Sequence, residues 1–319
     1  MNGRIEKCTN KILITGGAGF IGSELAESLI KNNDNFVVIV DNLSTGCIEK
    51  LPSKEYSNWH FNKCDVNNYQ DISEVMLAYK FDYVFHYAAV VGVLRTQLYP
   101  VNVLHDLHGI ENILKLSKST GVKRVFYSSS SEIYGEPVEL PQHEHTTPLN
   151  SRLPYAIVKN IGEAFLRSYH QEYNLNFTIF RFFNTYGKKQ SKDFVISKFI
   201  HNALKNEDIT INGDGTQTRT FCNVTDNVEA CLNAFYNNKF INDVVNIGGN
   251  KEIKIIDLAK IIIQLTKSKS KIVHLPPLKD GDMTRRLPDI SKMNELIKNE
   301  PIKLEDGIKS ILNNLEFIL

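Results

Sequence analysis

The sequence has little that would take it out of the ordinary globular class. Its five cysteines (Cys8, Cys47, Cys64, Cys222, Cys231) are odd in number and form no C-x-x-C pair. That argues against a disulfide framework or a zinc knuckle and for reduced, mostly buried thiols. Net charge is almost nil, 37 Lys+Arg against 36 Asp+Glu, so bulk charge gives no reason to expect nucleic acid or an acidic membrane as partner. No apolar run approaches the ~18 residues of a membrane span. The first such stretch, Ile12-Leu13-Ile14-Thr15, runs straight into glycines and lacks a signal-peptide core. There is no internal repeat and no low-complexity tract. His105 and His108, and His143 and His145, have no third partner at metal spacing, so no metal is expected. A soluble, cytoplasmic protein is the expectation.

Hydrophobic residues make up 42% and charged residues 23% of the 319, a balance that supports a packed core. Short β-branched runs at 11–15, 36–40, 59–63, 83–87, 124–128 and 177–182 read as strands. Helical periods at 20–32, 72–79, 104–119 and 155–173 fall between them. That alternation predicts an α/β fold, a doubly wound parallel sheet of Rossmann type. After about residue 183 turn clusters appear and helical periods continue at 195–205, 226–236, 255–265 and 304–315. The expected organisation is a dinucleotide-binding domain over 1–182. A smaller substrate-binding part follows over 183–319, its segments interleaved with the first.

The sharpest local signal is Thr15-Gly16-Gly17-Ala18-Gly19-Phe20-Ile21-Gly22, which follows a predicted strand and opens a predicted helix. Glycines there let backbone amides and a helix N-terminus approach a pyrophosphate. Asp41 ends the second strand 19 residues after Gly22. An acid at that place bonds a ribose 2′-hydroxyl and repels a 2′-phosphate, which favours NAD. Asp65-Val66, after the third strand, is placed to reach the adenine. Tyr155 and Lys159 stand four apart, on one face of a helix. A neighbouring ammonium favours phenolate and should lower the tyrosine pKa. Ser128-Ser129-Ser130-Ser131-Glu132 follows a strand whose carboxyl end belongs at the ligand cleft, where a serine hydroxyl could share a proton with Tyr155.

In order along the chain stand residues 15–22, Asp41-Asn42-Leu43-Ser44-Thr45-Gly46, His86-Tyr87-Ala88-Ala89, 128–135, 155–159, 181–187 and Gln217-Thr218-Arg219. Together they resemble the extended short-chain dehydrogenase/reductases, the NAD-dependent nucleotide-sugar epimerase/dehydratase group. The resemblance implies NAD held by Gly16, Gly19, Phe20, Ile21, Gly22, Asp41, Asn42, Asp65, Val66, Ala88, Ala89, Tyr155 and Lys159. It implies Tyr155 as catalytic base, Lys159 as its partner, Ser130 as the catalytic hydroxyl, and a nucleoside-diphosphate sugar gripped by Ser130, Asn184 and Arg219. It also implies a homodimer through the helices at 104–119 and 155–173. The shared chemistry would be oxidation at sugar C4 to a 4-keto intermediate. Glu132, with Arg285-Arg286-Leu287-Pro288-Asp289, resembles UDP-glucuronate decarboxylases. Arg286 would hold the carboxylate or diphosphate, with Arg285 its rival. The Ser-Glu pair also resembles dehydratases, and 86–95 resembles 4-epimerases. UDP-hexuronate decarboxylation is therefore the first expectation. The others are 4-epimerisation, 4,6-dehydration or net C4 oxidation, and, in another class, a catalytically inactive NAD sensor. The family usually carries Asn three before the glycine of its N-x-x-G segment; here Asp106 precedes Gly109. Near the cofactor its charge could alter NAD affinity or redox balance.

Overall fold

A computed structural model describes residues 9–277 and 283–317. Seven strands form one parallel sheet: β1 (Asn10–Thr15), β2 (Asn35–Asp41), β3 (Trp59–Lys63), β4 (Tyr83–His86), β5 (Arg124–Ser130), β6 (Asn176–Phe182) and β11 (Asp243–Ile247). Their order across the sheet is β11-β6-β5-β4-β1-β2-β3. The chain winds outward from β1 to β3, then returns to β4 on the other side of β1. That reversal opens a crevice beyond the carboxyl ends of β1 and β4, where Thr15 faces His86.

Both faces are covered, which is why the strands are almost wholly buried. On one face Leu13, Val38, Val84 and Val125 meet α2 (Tyr69–Tyr79), α5 (Asp106–Thr120) and α6 (Pro154–Tyr173) through Met76, Ile113, Val158 and Leu166. On the other, their neighbours in sequence Ile12, Ile14, Val37 and Phe126 meet α1 (Phe20–Leu29) and α8 (Val224–Tyr236) through Leu25, Leu29, Cys231 and Phe235. The strand's two-residue alternation assigns each side chain to one layer.

The expected helix over 104–119 is preceded by two short ones, α3 (Val93–Leu98) and α4 (Pro100–Leu104), with Pro100 at the start of the second. After β6 a separate core gathers α7 (Val195–Leu204), β8 (Ile209–Asn212), α9 (Ile255–Thr266) and α11 (Leu304–Leu312) around Phe199, Ile211, Leu258, Ile262 and Ile308. The chain leaves that body twice, for α8 and for β11. Among the described cysteines Cys47, Cys64, Cys222 and Cys231 are free thiols; Cys8 lies outside the described residues. No described helix is long and apolar enough to cross a membrane.

Candidate active site

One cavity of about 990 Å³ runs along the carboxyl ends of the strands. At one end the loop after β1 turns into α1, whose N-cap Gly19 offers no side-chain cap, leaving the first helical amides without a side-chain acceptor. Gly16 has φ +69°, and a Cβ on it would sit 2.7 Å from the Ala88 nitrogen. A Cβ on Gly22 would lie 2.4 Å from the Gly16 carbonyl oxygen. Larger residues would close this cradle, so the loop fits a pyrophosphate. Asp41 ends β2 and is nearly buried. Its Oδ2 accepts from the Ala18 amide at 3.0 Å and its Oδ1 from the Leu43 amide at 2.8 Å. Burial raises its pKa and those two amides oppose the rise. Asn42 donates to Asp65 at 3.4 Å. Asp41, Asn42, Asp65 and Val66 all line the cavity, as do Ala88 and Ala89 beyond β4.

The other end carries the reactive side chains. Ser130, the last residue of β5, accepts from the Glu132 amide at 3.2 Å and also hydrogen-bonds the Tyr155 hydroxyl. Lys159, 3% exposed, donates to the Ser128 carbonyl at 2.6 Å and lies 5.8 Å from the Tyr155 ring centre. Burial lowers its pKa to about 8, and Asp106 works against that fall. The phenol behaves opposite to the expected lowering. Burial drives the Tyr155 pKa well above its usual value, Glu132 adds to the rise, and the Ser130 hydrogen bond opposes it. Desolvation outweighs the protein's own cations here.

Glu132 Oε1 pairs with Arg286 Nη1 at 2.8 Å. The Arg286 guanidinium is 5% exposed and also contacts Met283 Sδ at 2.7 Å. Its Nε has no hydrogen-bond partner among the described residues. Asn184 lines the same cavity and donates to the Thr220 carbonyl at 3.0 Å.

A scan against family models matches residues 12–248 to the NAD dependent epimerase/dehydratase family. The chain belongs to this family. This epimerase/dehydratase is 33% identical over 315 residues to UDP-glucuronic acid decarboxylase 6 of Arabidopsis thaliana, covering 96% of this chain and 89% of that one. It is 36% identical over 312 residues to a putative UDP-glucose 4-epimerase of Methanocaldococcus jannaschii, covering 95% and 97%. A crystal structure of UDP-glucose 4-epimerase with UDP-glucose from Thermotoga maritima superposes with a TM-score of 0.88 at 32% identity, covering 95% and 97%. The resemblance carried by the motifs is thus met at the level of the whole chain. The protein is an enzyme and its cofactor is NAD.

Two residues expected at the substrate stand elsewhere. Arg285 is half exposed, paired with Glu252 at 2.6 Å, and does not line the cavity. Arg219 lies in β9 (Thr218–Thr220), outside the cavity wall, and donates to the Thr218 carbonyl at 2.8 Å. Sequence reasoning passed over Arg152, an exposed cation on the cavity wall three residues before Tyr155, and Glu136, which accepts from the Thr284 amide at 3.2 Å. The spacing from Tyr155 was the available signal for Arg152. No cluster of three His, Cys, Asp or Glu able to hold a metal occurs among the described residues.

Proposed function

We propose that this enzyme decarboxylates a UDP-hexuronate through a 4-keto sugar. The Glu132–Arg286 pair at 2.8 Å, beside Tyr155 in the cavity wall, carries the reading. A neutral hexose would meet an ion pair there to no purpose. A hexuronate brings a carboxylate for the arginine.

NAD, when bound, accepts hydride from sugar C4, and its positive ring favours the phenolate. Ser130 orients the C4 hydroxyl and Tyr155 takes its proton. Lys159 holds positive charge beneath the phenol. The resulting ketone lies β to the C6 carboxylate. The C5–C6 bond breaks, CO₂ leaves, and the electron pair passes into C5 and on to O4 as an enolate. A buried phenol of raised pKa holds its proton firmly and hydrogen-bonds that oxygen. C5 then takes a proton and the ketone is reduced back. An arginine bound to the substrate alone would stabilise the carboxylate against loss. Glu132 shares the guanidinium and weakens that ground-state hold.

The likeness to 4-epimerases favours a second reading, in which the 4-keto sugar is reduced on its opposite face without losing carbon. Dehydration or net C4 oxidation would use the same first step. Incubation with UDP-glucuronate, UDP-galactose and dTDP-glucose separates these. Released CO₂ with a UDP-pentose supports the proposal; C4 inversion with all carbons retained overturns it. We also propose a cytoplasmic homodimer, which would cover the exposed Leu98, Tyr99, Val101, Leu104 and Ile157 on α3, α4 and α6. NAD would be held by residues 1–182 and the nucleotide sugar by 183–319, less α8 and β11.

A further inference from the structure

Asp106 opens α5, yet its carboxylate is 8% exposed and lines the same cavity as Lys159. Oδ2 accepts from the Val90 amide at 2.7 Å, and the Asn67 side chain also bonds the carboxylate. Asn67 is itself fixed, its Oδ1 accepting from the Gly109 amide at 3.0 Å. The carboxylate is therefore rigidly placed, without a cation bonded to it among the described residues. A buried charge so placed is costly unless an opposite charge answers it.

The groups around Lys159 leave one anion to do so. From β4 comes His86, bonded to Thr15 at 2.8 Å and kept neutral by burial, which lowers it to about 3. From β5 come the Ser128 carbonyl and Tyr127, whose ring centre is 5.0 Å from Nζ and whose phenol burial keeps protonated. From α6 comes Tyr155, protonated at rest. Glu163, one turn along, is held by Arg181 through bonds of 2.9 and 2.7 Å. Asp65, after β3, faces Asp106 rather than the lysine.

We propose that Asp106 is a positioning residue for Lys159: its fixed, buried carboxylate keeps the neighbouring ammonium charged inside the cavity. The charge is what the phenol needs beneath it and what the cofactor's ribose oxygens can bond. This rests on the reading of Tyr155 and Lys159 as the working pair. It does not depend on the fate of the 4-keto sugar, so decarboxylation and the role of Asp106 can fail separately.

The test follows turnover and, separately, NAD dissociation across pH in the full-length enzyme, Asp106→Asn and Asp106→Glu. In the unaltered enzyme both readouts should weaken above about pH 8, where Lys159 loses its proton. Asn keeps an acceptor for the Val90 amide but not the charge. A nearby opposite charge is worth about one unit or more, so in Asp106→Asn both limbs should move down by that much, with turnover at pH 8 about fivefold lower. Asp106→Glu retains the charge and should hold the limbs near their original place. Limbs that stay put in Asp106→Asn, or that move equally in both variants, would overturn the proposal. So would NAD binding in the unaltered enzyme that is flat through pH 9.

Discussion

Glu132→Gln separates the two halves of the proposed reaction. The substitution removes the charge that pairs with Arg286 at 2.8 Å. Arg286 is then a guanidinium 5% exposed without a counter-ion. Deleting one partner of a buried pair costs about 3–5 kcal/mol. Gln keeps an acceptor oxygen for the guanidinium, so a loss nearer about 1–3 kcal/mol is expected, the cost of weakening one buried charged hydrogen bond. At about 2–4 °C per kcal/mol for a large domain, the melting temperature should fall by several degrees while the fold survives. C4 oxidation should persist, because Glu132 is the charge that most opposes ionisation of Tyr155. Loss of carbon should not persist. Once Arg286 is no longer shared, it binds the substrate carboxylate without competition and stabilises it, and CO₂ release should drop by about 100-fold, the scale of one positioned group. The assay is UDP-glucuronate labelled at C6, with trapped CO₂ counted and the 4-keto sugar identified by mass spectrometry. Undiminished CO₂ would refute the role of Glu132; loss of both readouts in a folded protein would show that it serves the oxidation.

Other substitutions test the remaining parts. Tyr155→Phe removes the proton acceptor bonded to Ser130. It should lower 4-keto formation by about 10²–10⁴ and leave NAD affinity within a few-fold, measured by titration. Gly22→Ala forces a methyl to within 2.4 Å of a backbone oxygen. Overpacking of this kind costs about 1–3 kcal/mol, and NAD binding should weaken more than thermal stability. Lys159→Met should abolish turnover yet leave the protein as stable or more so at pH 7. The folded lysine titrates near 8 against 10.5 for the free side chain, so the unfolded state binds the extra proton between those values. Native stability therefore rises with pH across that window. The advantage of Met, about 3 kcal/mol below pH 8, should shrink toward pH 10, as read by melting curves.

The parts of the site written in local sequence were legible there. The glycine loop, its flanking strand and helix, and Asp41 lie within one βαβ unit, and Tyr155 and Lys159 share a helical face by spacing alone. What depends on distant packing was not. β11 joins the sheet because β6 offers an open edge to residues 243–247, and nothing in that five-residue run announces a strand. Arg285 and Arg286 are neighbours of like chemistry, yet one reaches Glu252 at the surface and the other Glu132 in the cavity. Sequence ranks such a pair only by analogy, since the choice is made by which side of the segment faces the turn at Ser131–Tyr134.

The sign of the Tyr155 perturbation shows the same limit in energetic form. A lysine four residues on is visible in sequence; the burial of the phenol is not. Charge proximity predicts a lowered pKa, and desolvation reverses it. The reversal changes what the residue does at rest. A phenol that holds its proton until a cation arrives cannot ionise in the empty cavity, so the base forms only with the cofactor's positive ring in place. Glu132 strengthens that restraint and Lys159, kept charged by Asp106, works against it. The reactive end thus combines one anion that delays ionisation with one cation that permits it, and the bound dinucleotide tips the balance between them.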